Sequence, residues 1–392
     1  MNLLRRIRRI LFTGSLAAVL LVAAFAVAQQ NPQPQVTIDL KPLGAAPDLF
    51  ADQSDSKYQQ RGTIQVFWID EGHIAAAFST NRRWSGNQKP EPLHVRLIVF
   101  HLQGKELHRR DWDLGAEGPE AAMTLELSPG PDNSILAIHQ SNSEGKIPDG
   151  DFVQVLNADL SLRQDFYVPA TSNWVPSILP EPGLVLEAYF ANHHSVLTWW
   201  SGQPLKAGPK LDLPPGKDET LAGPPGLAAR ADCANSILCF GVRVYRQEQT
   251  IWSYSLPEPE MVPVPRVFLS PTALVVELQH EDEKQSQLVA IHPSGAPTPL
   301  PALPRGLQVV GVTSVSRDGR RFALTLSGQV GLCGLFDIWC NQRGQAIVID
   351  VPANRIIFQQ GISAAGGTSS LSPDGKHLAI LDRNKLAIYA LP

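Results

Sequence analysis

SPDGKHLAIL at Ser372–Leu381 and SRDGRRFALTL at Ser316–Leu326 are two copies of one short unit. In each, Asp-Gly supplies a tight turn whose glycine tolerates positive φ, and an apolar run of strand length follows. A run that is apolar at nearly every position, rather than at alternate ones, fits a strand buried on both faces. Weaker copies precede these two: DEGHIAAAF at Asp70–Phe78, SPGPDNSILAI at Ser128–Ile138, PEPGLVLEAYF at Pro180–Phe190, ANSILCFGV at Ala234–Val242 and SPTALVVEL at Ser270–Leu278. With Gly72, Asn133, Gly183, Asn235, Thr272, Gly319 and Gly375 as turn anchors, the unit recurs about every fifty residues, the period of a four-stranded propeller blade.

Further strand-like runs, such as Thr63–Trp68, Ile74–Phe78, Val95–Phe100 and Val153–Leu156, fill the intervals, and helical spacing is nearly absent. With 33 prolines and 30 glycines in 392 residues, a helical bundle is excluded. The fold class is therefore all-β, a single seven-bladed β-propeller. Six or eight blades remain open, because the copies near Gly183 and Thr272 lack the Asp-Gly turn. The two best copies resemble the Ser-Pro-Asp-Gly-Lys turns of secreted TolB-type and other WD-repeat-like β-propellers. That resemblance is good over 316–392 and thin elsewhere; it implies a radial stack of four-stranded sheets and carries no activity.

The chain divides into a signal peptide at 1–28, an N-terminal arm at 29–61 and the propeller at 62–392. Arg5, Arg6, Arg8 and Arg9 precede an apolar stretch from Leu11 to Phe25, and Ala26-Val27-Ala28 is a small-x-small cleavage site. The alternative is a retained membrane anchor. The expectation is export to the periplasm or the extracellular space, with no membrane span after cleavage. Removal of 1–28 takes away four arginines and no acids and moves the formal charge from −4 to −8, which disfavours nucleic acid as a partner. The terminal run Ala387–Leu391 reads as the third strand of the last blade. A fourth strand must come from elsewhere, and Val36–Leu40 in the arm is the segment fitted to close the ring.

Four cysteines in an exported chain point to disulfides, with Cys233 paired to Cys239 and Cys333 to Cys340 as the local solution. Neither spacing is that of a zinc or redox pair. The segment 327–345 places Phe336 and Trp339 beside Arg343, an aromatic and arginine cluster of the kind that forms a binding hot spot. The loops that follow the central strands share one face of a propeller and carry Arg82, Arg83, Trp84, His193, His194, Arg243, Tyr245 and the pair Asp382-Arg383. Such residues suit an anionic glycan or a peptide. No HExxH, EF-hand, GxSxG, P-loop or GxGxxG motif is present, so no cofactor, metal or catalytic residue is assigned. The sequence points to a monomeric, exported, non-enzymatic propeller binding a protein or glycan partner through one loop face. The alternative is a carbohydrate- or peptide-active hydrolase or lyase with a site at the channel mouth.

Overall fold

The computed structural model describes residues 32–46, 64–81, 92–114, 124–140, 150–169, 172–175, 184–189, 195–214, 220–233, 239–247, 249–256, 261–280, 286–293, 296–331, 340–363 and 367–392. Among these, 28 strands form seven four-stranded antiparallel sheets. The first strand, β1 (Val36–Asp39), stands apart from the sequential blades. Blade 1 comprises β2 (Ile64–Trp68), β3 (His73–Ser79), β4 (Leu93–His101) and β5 (Glu106–Leu114). Blade 2 comprises β6 (Thr124–Gly130), β7 (Ser134–Gln140), β8 (Gly150–Leu156) and β9 (Leu162–Pro169). Blade 3 comprises β10 (Ser172–Val175), β11 (Leu184–Tyr189), β12 (Ser195–Ser201) and β13 (Lys206–Leu213). Blade 4 comprises β14 (Thr220–Ala222), β15 (Leu227–Cys233), β16 (Cys239–Arg246) and β17 (Gln249–Ser255). Blade 5 comprises β18 (Met261–Ser270), β19 (Ala273–His280), β20 (Ser286–Ile291) and β21 (Thr298–Pro299). Blade 6 comprises β22 (Gln308–Val315), β23 (Arg321–Gly331), β24 (Cys340–Asp350) and β25 (Arg355–Ile362).

Blade 7 has only three sequential strands, β26 (Thr368–Leu371), β27 (His377–Asp382) and β28 (Lys385–Ala390). Its fourth, outermost strand is β1, which runs antiparallel to β28 with Val36 opposite Ile388 and Asp39 opposite Lys385. The first strand of each blade is the innermost. Leu127 N on β6 donates to Gln65 Oε1 on β2 (2.7 Å), and Leu371 N on β26 donates to Ser314 Oγ on β22 (2.8 Å), so neighbouring first strands touch.

The apolar residues of the central strands are buried between blades, which is why those strands are apolar on both faces. Ile74, Ala76 and Phe78 pack with Ala379, Leu381, Leu386 and Ile388 between blades 1 and 7, and Ala75 and Ala77 face Ile135 and Ala137 of blade 2. Blades 6 and 7 meet through Ala346, Val348 and Phe358 on one side and Leu378, Ile380 and Tyr389 on the other. Polar groups in these interfaces are paired at specific points. The Trp68 indole donates to Ser370 O (2.9 Å), and the Trp199 indole donates to Gly223 O (2.9 Å).

One turn differs from its sequence reading. Blade 4 turns between its first two strands at Pro224-Pro225-Gly226, where Leu227 N bonds Pro224 O (2.8 Å) and Gly226 has φ 77°, a proline-then-glycine β-turn. Asn235 instead falls between β15 and β16, the second hairpin of the blade. The strand after the true turn, LAARADC, is polar enough to escape an apolar-run reading. Arg230 within it is 3% exposed, and its guanidinium bonds Ser195 Oγ (2.7 Å), Thr220 Oγ1 (2.9 Å) and Pro214 O (2.8 Å). A charge so deeply buried is tolerable because distant oxygens satisfy it.

Candidate functional site

Because each blade is a four-stranded meander, the turns after its first and third strands lie at one end, and those after its second strand lie at the other. The first end is held together by its own polar groups. In blade 6 the Ser316 hydroxyl donates to Asp318 Oδ1 (2.6 Å) and accepts from Arg321 N (3.0 Å), while Arg320 N donates to Asp318 Oδ1 (3.0 Å). Blade 7 repeats the arrangement with Ser372, Asp374, Lys376 and His377 at 2.7, 3.0 and 2.9 Å. Burial works against the charged form of both carboxylates. The serine hydroxyl, the backbone N–H and the nearby cations outweigh it and hold Asp318 and Asp374 below the ordinary carboxylate pKa. The turns also bond one another: Arg321 donates to Gly375 O (2.8 Å) and Pro392 O (2.6 Å), and Arg317 pairs with Glu71 of blade 1 at 3.0 Å.

At the opposite end lies a cleft of about 800 Å³ between the outer parts of blades 6 and 7. Its walls are Gln360–Ser363 at the end of β25, Thr37, Asp39 and Lys41 on and after β1, and Ile380, Asp382, Lys385 and Ala387 on β27 and β28. The two-residue connection Arg383-Asn384 closes the hairpin at this end. Asp382 Oδ1 accepts from Ser363 N (3.0 Å), and Asp39 Oδ1 caps Lys41 N (3.0 Å), so both carboxylates hold backbone. The exposed side chains of Lys41, Arg383 and Lys385 have no bonding partner among the described residues. Asn384 is 7% exposed, and its Oδ1 is buried without a hydrogen bond. Arg383 has φ 54°, a left-handed conformation that costs an L side chain roughly 1–2 kcal/mol and that glycine would adopt freely.

Beside this cleft the blade 6 hairpin extends further than any other described. β23 and β24 are each 11 residues long and remain paired out to Gly331 opposite Cys340. Gly328 permits that extension, since a Cβ there would lie 2.0 Å from Gly306 O. Near the root of the hairpin, a Cβ on Gly344 would stand 2.9 Å from Ser363 O, so hairpin and cleft adjoin.

The residues singled out in the sequence are distributed as follows. Arg343 is exposed on β24, opposite Gly328. Arg82, Arg83, Trp84, His193, His194, Cys333, Phe336 and Trp339 lie outside the described residues, as does the side chain of Cys340; the segments that carry them join second to third strands. Arg243 and Tyr245 belong to β16 rather than to a loop, because the blade 4 turn lies earlier than its sequence reading. The Arg243 guanidinium is paired with Asp232 (2.6 Å), and Tyr245 is 6% exposed, packed against Ala228 and Trp199. Cys233 and Cys239 form a disulfide across the β15–β16 hairpin. Lys41, Asn384 and Lys385 drew no attention in the sequence, although Arg383 at a turn position suited to glycine was a signal available there.

Among the described residues no group of three or more His, Cys, Asp or Glu side chains is placed to hold a metal ion, and no helix is long and apolar enough to cross a membrane. No family model matches the chain, and no curated protein does. Solved structures are similar to it in fold. The β-propeller domain of the Trilobed protease from Pyrococcus furiosus aligns with TM-score 0.51 and 10% identity over 84% of this chain and 95% of that one. That domain is described as having an open velcro topology, whereas here β1 pairs along β28. The C-terminal WD40 domain of Sif2 aligns with TM-score 0.44 and 10% identity over 92% of this chain and 99% of that one. At such identities the likeness to the Trilobed protease domain concerns the fold alone, a β-propeller, here with seven four-stranded blades.

Proposed function

We propose that the protein is an exported, non-enzymatic, monomeric β-propeller of the secreted TolB-like kind, which binds a partner through the end that carries the second-to-third-strand connections. The observation that carries this reading is a cleft of about 800 Å³ whose cations have no bonding partner among the described residues, next to the longest hairpin described. The cleft volume is within the range of ligand sites. In this reading Phe336, Trp339 and Arg343 of the blade 6 hairpin, together with Arg82, Arg83 and Trp84 and with His193 and His194, meet the partner from the connecting segments. Export is supported by the basic-apolar leader at 1–28 and by the Cys233–Cys239 disulfide, which suits an oxidising compartment.

The test is site-specific photo-crosslinking in the native host, with the reactive residue at Arg343 or at Gln360, in the cleft wall, in one set and at Glu71 or Asp132, on the opposite end, in the other. The expected result is one recurrent adduct from the Arg343 and Gln360 positions and none from Glu71 and Asp132. Adducts confined to the latter pair overturn the reading. N-terminal sequencing of the exported protein checks the leader, with Gln29 expected as the first residue.

A further inference from the structure

Resting on that reading, we infer that the blade 6–7 cleft takes an extended peptide segment bearing carboxylate side chains. The cleft presents Lys41, Arg383 and Lys385 without ionic partners among the described residues, whereas Asp39 and Asp382 each hold a backbone N–H. Three cations line the cleft against two carboxylates, so its described lining carries a surplus of one positive charge, which favours an anion. An arginine is suited to meet a carboxylate with two parallel N–H bonds. Arg383 stands exposed at the rim, in the two-residue turn between β27 and β28. Asn384, at the same hairpin turn, has an acceptor with no donor, which a peptide N–H entering the cleft would supply once the amide turns toward it.

An anionic glycan offers carboxylates too, but among the described residues the cleft walls offer no exposed aromatic platform on which a sugar ring stacks. Tyr389 is the one aromatic among the described lining residues; it is 7% exposed and packs edge-on against Phe358 at 5.0 Å. The walls instead consist of strand ends and short turns, complementary to an extended backbone. The chain as a whole is acidic, so the site is a local patch against the net charge and its ion pairs are open to screening.

The experiment titrates the full-length exported protein with a fluorescein-labelled hexapeptide of alternating Glu and Ser, followed by fluorescence anisotropy. The matching Lys-Ser peptide and unlabelled oligogalacturonate serve as comparisons. Binding of the Glu-Ser peptide only, weakened at least about tenfold by Arg383→Gly and by Lys385→Ala and weakened by added salt, is the expected result. Arg383→Gly removes the cation while relieving the turn, and an unchanged urea midpoint shows that the fold survives. No binding of the Glu-Ser peptide up to 1 mM (on the order of the weakest specific affinities), binding insensitive to both substitutions, or displacement by oligogalacturonate with tighter affinity overturns the inference. In those cases, a photo-crosslinked adduct still recovered from Arg343 would leave the binding end standing, and loss of that adduct too would overturn both.

Discussion

The Ser-x-Asp-Gly turns of blades 6 and 7 and the cleft at the other end of the same two blades treat polar groups in opposite ways. At the first-turn end, serine hydroxyls, carboxylates and guanidinium groups are bonded to one another and to the backbone of the next blade: Ser316 to Asp318, Ser372 to Asp374, Arg321 to Gly375 O, Arg317 to Glu71. At the other end, three cations around the blade 6–7 cleft have no bonding partner among the described residues, and the Asn384 carbonyl has no donor. A polar group paired within the fold stabilises it, and one left unpaired at a concave surface is available to something else. On the proposed reading, the turns of blades 6 and 7 serve stability and the cleft between those blades serves recognition.

The largest break in that division is expected at Gly319. A Cβ there would lie 1.9 Å from Leu269 O of blade 5, at φ 67°, so Gly319→Ala should destabilise by about 3 kcal/mol or more. Gly375, its counterpart at φ 69°, would place a Cβ 3.1 Å from the Ser316 Cβ, and Gly375→Ala should cost only about 1–2 kcal/mol. Urea denaturation of the two variants side by side separates steric closure from turn strain.

Next in size are Ser316→Ala and Ser372→Ala. Both hydroxyls are buried, and each accepts a backbone N–H, of Arg321 or His377, so each loss should cost about 1–3 kcal/mol in the same measurement. A smaller effect is expected from acid. The Asp318 and Asp374 carboxylates have folded-state pKa values below their unfolded ones, so their contribution is complete above the ordinary carboxylate pKa of about 4 and is lost as pH falls through the depressed values. The stability gap between wild type and the Asp318→Asn/Asp374→Asn double variant should therefore be constant above about pH 5 and shrink as pH falls below about 4. The smallest is Arg383→Gly, where relief of the turn and the greater freedom of the unfolded glycine oppose each other; the change should stay within about 0.5 kcal/mol.

What the sequence made legible follows the same division. The Ser-x-Asp-Gly turns of blades 6 and 7 are local: every partner in each network lies within five residues, so the motif and its geometry appear together. The pairing of β1 with β28 was also accessible, because a last blade short of one strand asks for another and Val36–Leu40 is the strand-like piece of the arm. Blade 4 was misread at Asn235 because its second strand contains Arg230, acceptable in a core only through Ser195 and Thr220 on other strands. Tyr245 looked like a loop aromatic for the same reason and is instead interface core. The cleft was illegible because its walls come from 34–41 and 360–389, brought together only when the ring closes.

The most direct test measures stability and partner capture in parallel on two double variants, Ser316→Ala/Ser372→Ala at one end and Arg383→Gly/Lys385→Ala at the other. The predicted result is a crossed pattern: the serine variant has a lower urea midpoint and keeps the crosslinked adduct at Arg343, while the cleft variant keeps its midpoint and loses the adduct. If one variant loses both or the cleft variant loses neither, stability and recognition are not divided between the two ends, and the account is wrong.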